Sequence, residues 1–354
     1  MILSARNRAA PVICLTFTIG TLSIFGAARS DAAPAQAAPT APPAPQVPDK
    51  TPPAAKGDGE KRSDLFDEKA DARAEVKTAL ANAKRENRRV LIEWGANWCG
   101  WCRKLHGLFN SNQELAKKLL YEYDVVYVDI GQHDKNMDLA KELGADFQSV
   151  PYLTILEASG EALVQQPTEP FEKGNAYDSA KLLELLTFWQ ADYLNAAELE
   201  SGSLKEAKAS GKRVFLHYGA PWCGYCRLLE RWMAKPEVAA LLAKDFIDLK
   251  VDVDRTIGGK EAFAAQLSRA EPKVANPADF GIPWIVFLDG DGKQLAVGHT
   301  EKGNIGCPAA LGEIDHFMAM LGKARVHLTD DDVAVLKASL LEHTKAARAN
   351  AAGH

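Results

Sequence analysis

The sequence predicts an α/β protein built from two consecutive domains of one fold, each a mixed central sheet flanked by helices. Three observations predict this. The chain has 354 residues, which suits two ordinary domains and one non-globular segment. Residues 90–105 align without a gap on residues 214–229, with nine of the 16 positions identical, and Glu172–Asn175 recurs as Glu301–Asn304. The same order of strand and helix patterns then follows each aligned block.

Each copy begins with a short apolar run typical of a buried strand, Val90–Trp94 and Val214–Tyr218. Helix and strand patterns then alternate and end in a hairpin and a helix. In the first copy they are a helix over Arg103–Phe109, strands over Val125–Ile130 and Tyr152–Leu156, a turn at Ser159–Gly160 and a helix over Asp178–Leu194. In the second they are a helix over Arg227–Ala234, strands over Phe246–Val253 and Trp284–Leu288, a turn at Asp289–Gly292 and a helix over Ala309–Leu321.

The residues outside the repeat predict an exported chain. Residues 1–28 combine Arg6 and Arg8 with an uncharged run and small residues, the layout of a secretory signal peptide; an uncleaved membrane anchor is the alternative. Residues 29–63 are rich in Ala and Pro, a composition that predicts a disordered linker. The predicted domains are therefore 64–195 and 196–325, followed by a helical tail over 326–354.

Two features distinguish the second copy. A segment rich in Gly, Pro and Ala is inserted around Arg255–Pro277. After Thr329, an amphipathic run to about Ala347 predicts an N-capped helix, which either packs on the domain or forms a partner surface.

Composition excludes one class of function. The formal net charge is -5, with 47% hydrophobic and 25% charged residues, so no basic surface supports nucleic-acid binding. Of six cysteines, Cys14 lies in the signal run, four form two close pairs, and Cys307 is single. That number is too small for a disulfide-stapled fold, so we interpret the pairs as reactive sites. Cys307 is either a small buried hydrophobic residue or a third reactive thiol.

The two Cys-x-x-Cys pairs predict redox chemistry. At a helix start, the first sulfur is stabilised as a thiolate and can attack another disulfide. Cys99 and Cys223 are the predicted, exposed attackers, while Cys102 and Cys226 are more buried and resolve the mixed disulfide. The cycle needs no cofactor. Alternatives are inert disulfides or a metal site, above all Cu(I) between the domains, since zinc lacks a full ligand set. Haem attachment is excluded because Arg103 and Arg227 stand where CxxCH requires His.

Trp98–Cys102 and Trp222–Cys226 resemble the active site of the thioredoxin superfamily, and the likeness extends over about residues 64–321. The resemblance implies cis prolines at Pro151 and Pro283, opposite the cysteines, with trans prolines that begin ordinary strands as the alternative. It also implies that Val150 and Ile282 bind the substrate backbone beside the attacked sulfur. We expect Trp98 and Trp222 to contribute to the same binding surface.

The resemblance further implies a buried acid six residues before each first cysteine. Glu93 occupies that position in the first copy, and burial there should raise its pKa toward the range useful for proton transfer. The second copy departs from the pattern with His217. We expect His217 either to replace the acid with a different pH dependence or to be a neutral core residue.

The resulting prediction is a thiol–disulfide oxidoreductase that reduces or isomerises protein disulfides, or relays electrons between its sites. Its partners are protein thiols and disulfides and a redox partner that recharges the pairs, with a membrane electron donor as one candidate. The predicted compartment is the bacterial periplasm. A copper-handling protein is the alternative, and a non-catalytic scaffold is disfavoured because both cysteine pairs are complete.

Overall fold

The computed structural model describes residues 64–274 and 280–352, so the predicted signal segment and linker lie outside the described residues. The described chain contains two four-stranded sheets, one in each half of the molecule, each with helices on both faces. The predicted mixed α/β architecture is confirmed. In the described ranges, no helix is both long enough and apolar enough to span a bilayer.

The first half begins with a helix and follows with a sheet of order β2-β1-β3-β4. Strand β1 pairs parallel with β2, and β3 pairs antiparallel with both β1 and β4. Its helices are α1 (Ala72–Glu86), α2 (Gly100–Ser111), α3 (Gln113–Glu122), α4 (Met137–Glu142) and α5 (Ser179–Phe188). Its strands are β1 (Arg89–Gly95), β2 (Tyr123–Asp129), β3 (Tyr152–Leu156), β4 (Ala162–Pro167) and a small hairpin of β5 (Glu172–Lys173) and β6 (Ala176–Tyr177).

The second half repeats this plan with the sheet order β10-β9-β7-β8. Strands β7 and β8 are parallel, and β9 is antiparallel to β7 and β10. Its helices are α6 (Ala196–Ser210), α7 (Gly224–Met233), α8 (Pro236–Asp245), α9 (Gly259–Arg269), α10 (Leu311–Ala324) and α11 (Asp330–Ala352). Its strands are β7 (Arg213–Gly219), β8 (Phe246–Asp252), β9 (Trp284–Leu288), β10 (Gln294–Val297), β11 (His299–Thr300) and β12 (Gly303–Asn304).

The central strands are buried on both faces, which explains their continuous apolar runs. On β1, every residue from Val90 to Gly95 is buried. Its side chains alternate between a cluster under α1 and a second cluster under α2, α3 and α5. The loop at the carboxyl end of β1 leads directly to the first cysteine pair at the start of α2.

Two segments differ from the sequence prediction, and a third agrees with it. The helix predicted over Asp178–Leu194 ends at Phe188, and Tyr193, beyond its end, donates a hydrogen bond to Glu122 at 2.6 Å. The segment inserted around Arg255–Pro277 contains α9, whose composition favours a helix. The C-terminal helix forms as predicted and packs on the domain, with Leu336 and Leu340 fully buried.

The two halves meet through a buried ion pair. The Arg255 guanidinium, 5% exposed, lies 3.0 and 3.1 Å from one carboxylate oxygen of Glu122, which is 1% exposed. Arg255 also donates to the carbonyl oxygens of Glu86 at 2.9 Å and Asn87 at 2.8 Å, where α1 ends. One side chain of the second half therefore satisfies the carboxyl end of a helix in the first half.

Candidate redox sites

Both cysteine pairs lie at helix starts, as the sequence predicts. Cys99 is the N-cap of α2, and its sulfur accepts a hydrogen bond from the Cys102 backbone N–H at 3.0 Å. Cys223 caps α7 in the same way at 3.1 Å. Each pair forms a disulfide, with Cα atoms 5.4 and 5.2 Å apart. The helix N-terminus thus directs N–H donors at the sulfur expected to carry charge.

The first cysteine of each pair is less exposed than expected. Cys99 and Cys223 are 4% and 5% exposed, and Cys102 and Cys226 are 0% and 1% exposed. The order is as predicted, but a freely exposed attacking sulfur is wrong for the disulfide form. The loop preceding β3 or β9 covers each disulfide, with the Cys99 sulfur 3.5 Å from the Val150 carbonyl oxygen and the Cys223 sulfur 3.6 Å from that of Ile282.

That covering loop contains a cis proline at each site. The Val150–Pro151 and Ile282–Pro283 peptide bonds are both cis. Different residues hold the two loops: the Thr168 hydroxyl donates to the Pro151 carbonyl oxygen at 2.7 Å. In the second site, the Asn304 amide donates to the carbonyl oxygens of Gly281 at 2.7 Å and Pro283 at 2.9 Å. Asn304 belongs to the repeated tetrapeptide, but its counterpart Asn175 accepts a hydrogen bond from Lys104 instead.

Aromatic side chains surround both disulfides. Trp98 and Trp222 are 51% and 55% exposed, and Tyr225, inside the second Cys pair, is 66% exposed. Trp101, its counterpart in the first pair, packs instead against Tyr177 at a ring-centroid distance of 5.1 Å. Exposed aromatic surface of this kind is typical of binding sites.

A cavity of about 560 Å³ lies beside the second pair, between the cis-proline loop and α7. Ile282, Pro283, Tyr225, Leu228 and Cys307 are among its lining residues. Cys307 is 4% exposed, and burial raises the pKa of its thiol to about 12. The thiol is therefore protonated at neutral pH, which fits the prediction of a small buried hydrophobic residue.

Glu93 is fully buried on β1, and neither carboxylate oxygen has a hydrogen-bond partner. Burial raises the pKa of Glu93 to about 8. Side chains two residues apart on a strand share a face, so Glu93 lies on the face of Gly95, where the Cys102 sulfur packs. A neutral acid is thus placed under the first pair with no competing partner.

His217 is buried at the equivalent position of β7, and its Nε2 lies 3.1 Å from a carboxylate oxygen of Asp248 on β8. The ring therefore has an acidic partner at the edge of the second sheet. The sequence identified His217 as a departure from the first copy but did not identify Asp248.

Sequence reasoning missed the residues that lie against the second cysteine of each pair. In the first site, the Phe66 ring packs with Cys102 against Gly95, and Asn97 holds the Phe66 backbone by accepting its N–H at 3.0 Å and donating to its carbonyl oxygen at 2.9 Å. In the second site, a Glu230 carboxylate oxygen and the Cys226 sulfur both lie against Gly219. One difference between the aligned copies was visible in the sequence: Asn97, which holds Phe66 in the first site, is replaced by Pro221 in the second.

The described ranges contain no group of three or more His, Cys, Asp or Glu side chains arranged to hold a metal ion. His106, four residues after Cys102, stacks its ring edge-on against Tyr127 at 5.3 Å, and burial lowers its pKa. It is therefore a packing residue between α2 and β2.

Known proteins similar to this chain include thioredoxins and disulfide isomerases. The family model described as thioredoxin-like matches residues 71–158 and 195–290. Protein disulfide-isomerase erp38 of Neurospora crassa is 30% identical over 186 residues, covering 50% of this chain and 47% of that protein. Thioredoxin of Borreliella burgdorferi is 32% identical over 80 residues, covering 23% of this chain and 62% of that protein. The disulphide isomerase structure from Xylella fastidiosa is 29% identical, covers 36% of this chain and 98% of its own, and has a TM-score of 0.33. The chain spans about half the length of the fungal relative.

Proposed function

Because the chain belongs to the thioredoxin-like family, we propose that it is a thiol–disulfide oxidoreductase acting on protein disulfides through Cys99–Cys102 and Cys223–Cys226. One observation carries the proposal: in both copies the first sulfur caps a helix N-terminus and lies against a cis-proline loop. An inert structural disulfide has no need of that surrounding, and here it occurs twice.

The proposed reaction transfers two electrons. The Cys99 or Cys223 thiolate attacks a substrate disulfide, so that a mixed disulfide forms and one substrate sulfur leaves as a thiolate. Cys102 or Cys226 then loses its proton and attacks the first cysteine, which closes the enzyme disulfide and releases the second substrate sulfur. The substrate is reduced and the pair is oxidised; isomerisation uses the same first step. N–H donors at the helix start favour the initial thiolate.

Glu93 is proposed as the proton acceptor for Cys102. Glu93, with a pKa of about 8, is partly ionised near neutral pH, and this ionised fraction takes the thiol proton and returns it later. His217 occupies the corresponding position at the second site, where it is proposed to give a different pH dependence, with its Asp248 contact as a further influence. Replacing His217 by Ala and recording the exchange rate against pH tests that role, since an unchanged profile would remove it.

Substrate binding is proposed at the surface formed by Trp98, Val150 and Pro151 in the first site and by Trp222, Ile282 and Pro283 in the second. The aromatic rings supply apolar contact, and the backbone before each proline offers an edge that an extended peptide can pair with. The substrate class is therefore an unfolded or extended protein segment that carries a disulfide.

We further propose that residues 64–195 and 196–325 are separate thioredoxin-like domains, with 326–354 as an added helical tail. The layout of residues 1–28 supports export to the periplasm, and the Ala- and Pro-rich composition of residues 29–63 supports a linker. A redox partner in that compartment would recharge the pairs.

The test is reduction of insulin by the full chain with Cys99→Ser, Cys223→Ser and both changes together. Each single variant should retain the turnover of the other site, and the double variant should have none. Cys307→Ser is the matched control, because a buried protonated thiol should not contribute. Turnover that survives in the double variant would refute the proposed function.

A further inference from the structure

The two redox sites differ most in what lies beneath the resolving sulfur. The first site has a buried acid on the strand, Glu93, and an apolar cover, Phe66. In the second site the strand position holds His217, and an acid appears instead on the helix, at Glu230. Glu230 is 6% exposed, and it lies one helical turn after Cys226, on the same face of α7.

Glu230 is close to the reacting sulfur. A Cβ atom at Gly219 would lie 3.4 Å from the Cys226 sulfur and 3.6 Å from a Glu230 carboxylate oxygen, so both pack against the same point of β7. The absence of a side chain at Gly219 leaves room for both groups beside β7. No corresponding acid exists in the first half, where the equivalent helix residue is His106.

Glu230 is joined to the first half of the molecule. The Lys250 ammonium lies 2.8 Å from Glu230 Oε1 as an ion pair, and it also donates a hydrogen bond to the carboxylate of Glu86 on α1. All three side chains are at most 14% exposed. The buried arrangement is therefore acid, base, acid, with one acid supplied by the other half.

The first half also reaches the rim of the second site. The Trp222 indole N–H donates to an Asp254 carboxylate oxygen at 2.8 Å, and the Tyr121 hydroxyl, from α3, donates to the same oxygen at 3.1 Å. In the first site the equivalent Trp98 donates to the Gly131 carbonyl oxygen, within its own half. Only the second site is bonded to both halves among these described contacts.

We propose that Glu230 is the proton acceptor of Cys226 and that Glu86, from the first half, completes the second site through Lys250. The inference rests on the proposed function. When Cys226 attacks the mixed disulfide on Cys223, its thiol proton passes to the Glu230 carboxylate, the Cys223–Cys226 bond forms, and the substrate sulfur leaves with the electron pair. Lys250 and Glu86 act as positioning residues.

The charges around Glu230 agree with this role. Burial raises the pKa of Glu230, Lys250 opposes that rise, and Glu86 adds to it. A cavity of about 210 Å³ between the halves reaches Glu230 and gives a route for the proton to solvent. The charged groups that face Glu230 or line this cavity are His217 on β7, Lys250 on β8, Arg227 and Arg231 on α7, Arg85 and Glu86 on α1, Arg88, and Asp124 on β2.

The test uses the full chain with Cys99→Ser and Cys102→Ser, so that only the second site turns over. Resolution of a mixed disulfide with a model peptide is followed in single turnover from pH 5 to 9. We expect Glu230→Gln to slow resolution about 100-fold at neutral pH, and Glu230→Asp to restore part of the rate. Glu237→Gln, on an exposed face of α8, is the matched control and should have no effect.

Substitutions at the two positioning residues should shift the pH dependence of the resolution rate in opposite directions. Glu86→Gln removes a negative charge, so the acidic limb of the rate profile should move to lower pH; Lys250→Met removes a positive charge, so it should move to higher pH. Glu75→Gln, exposed on α1, is the control for Glu86. If the two substitutions only disturbed the structure, the rate would fall without opposite movements of the acidic limb. Should Glu230→Gln fail to fold, Glu86→Gln and Lys250→Met therefore still test the proposal.

Three results separate the hypotheses. An unchanged profile in Glu230→Gln, or loss of the resolving step in His217→Ala alone, would overturn the assignment to Glu230. If neither Glu86→Gln nor Lys250→Met moves the acidic limb of the rate profile, the first half does not contribute to the second site. Absence of insulin turnover by the unmodified full chain, with both cysteine pairs intact, would instead refute the proposed function.

Discussion

Replacing Arg255 by methionine should destabilise the protein by about 3–5 kcal/mol. Arg255 donates to the Glu122 carboxylate and to two backbone carbonyl oxygens at the end of α1, and both charged groups are almost fully buried. Methionine preserves much of the side-chain volume but leaves Glu122 in the interior with only the Tyr193 hydroxyl as a donor. The unpaired buried charge supplies most of the cost.

Urea unfolding of the full chain, followed by tryptophan fluorescence and far-UV circular dichroism, measures the change. Arg269→Met is the matched control, because Arg269 is half exposed and lies 3.9 Å from Glu200 in a surface pair. Such a pair contributes about 0–1 kcal/mol, so the control should unfold nearly as the parent does.

A double variant tests the cause. Arg255→Met combined with Glu122→Gln leaves no unpaired charge, so it should be more stable than Arg255→Met alone. A loss below about 1 kcal/mol in Arg255→Met, or a double variant as unstable as the sum of the two single changes, would refute the reasoning. Arg255 would then be a surface contact between the halves and not the anchor of their interface.

Three further outcomes are expected. The raised pKa of Glu93, about 8 against an ordinary 4.5, means that ionisation opposes folding increasingly from about pH 4.5 and levels off above pH 8. Glu93→Gln should therefore raise the free energy of unfolding by about 3 kcal/mol at pH 7 and leave it nearly unchanged at pH 4, as measured by urea unfolding; an equal gain at both pH values would contradict the burial argument. After reduction, iodoacetamide at pH 8 should label Cys99 and Cys223 and spare Cys307, whose thiol remains protonated. Mass spectrometry measures the labelling, and faster labelling of Cys307 would contradict this prediction. Asn304→Ala should raise the KM of the second site about fivefold through loss of hydrogen bonds to the cis-proline loop and leave the first site unchanged; an equal effect on both sites would point to a general loss of stability.

The sequence predicts best what local pattern determines. Strands β3 and β9 have the predicted bounds, because short apolar runs between turn residues allow little alternative. The helix starts at Cys99 and Cys223 follow from the CxxC pattern itself. The sulfurs of the two candidate redox sites were therefore identifiable without a structure.

Long-range contacts were not predictable in the same way. Phe66 lies 36 residues before Cys102 in the sequence, and Glu86 lies far from Lys250; no local period indicates either contact. The inserted segment was recognised only as an insertion, although Arg255 within it forms the buried pair with Glu122. Such contacts depend on how the two halves pack, which the repeat alone does not determine.

The stretch from Phe66 to Asn87 connects these observations. At one end it places an aromatic ring against the resolving sulfur of the first site, and at the other it supplies Glu86 and two backbone carbonyl oxygens to the second half. A second half separated from residues 64–195 would lose Glu86 and Tyr121, so Lys250 would face Glu230 alone and Asp254 would hold Trp222 without its other partner. Two copies of one fold thus carry the same sulfur pair in different proton environments, because one of the copies supplies part of the other's surroundings.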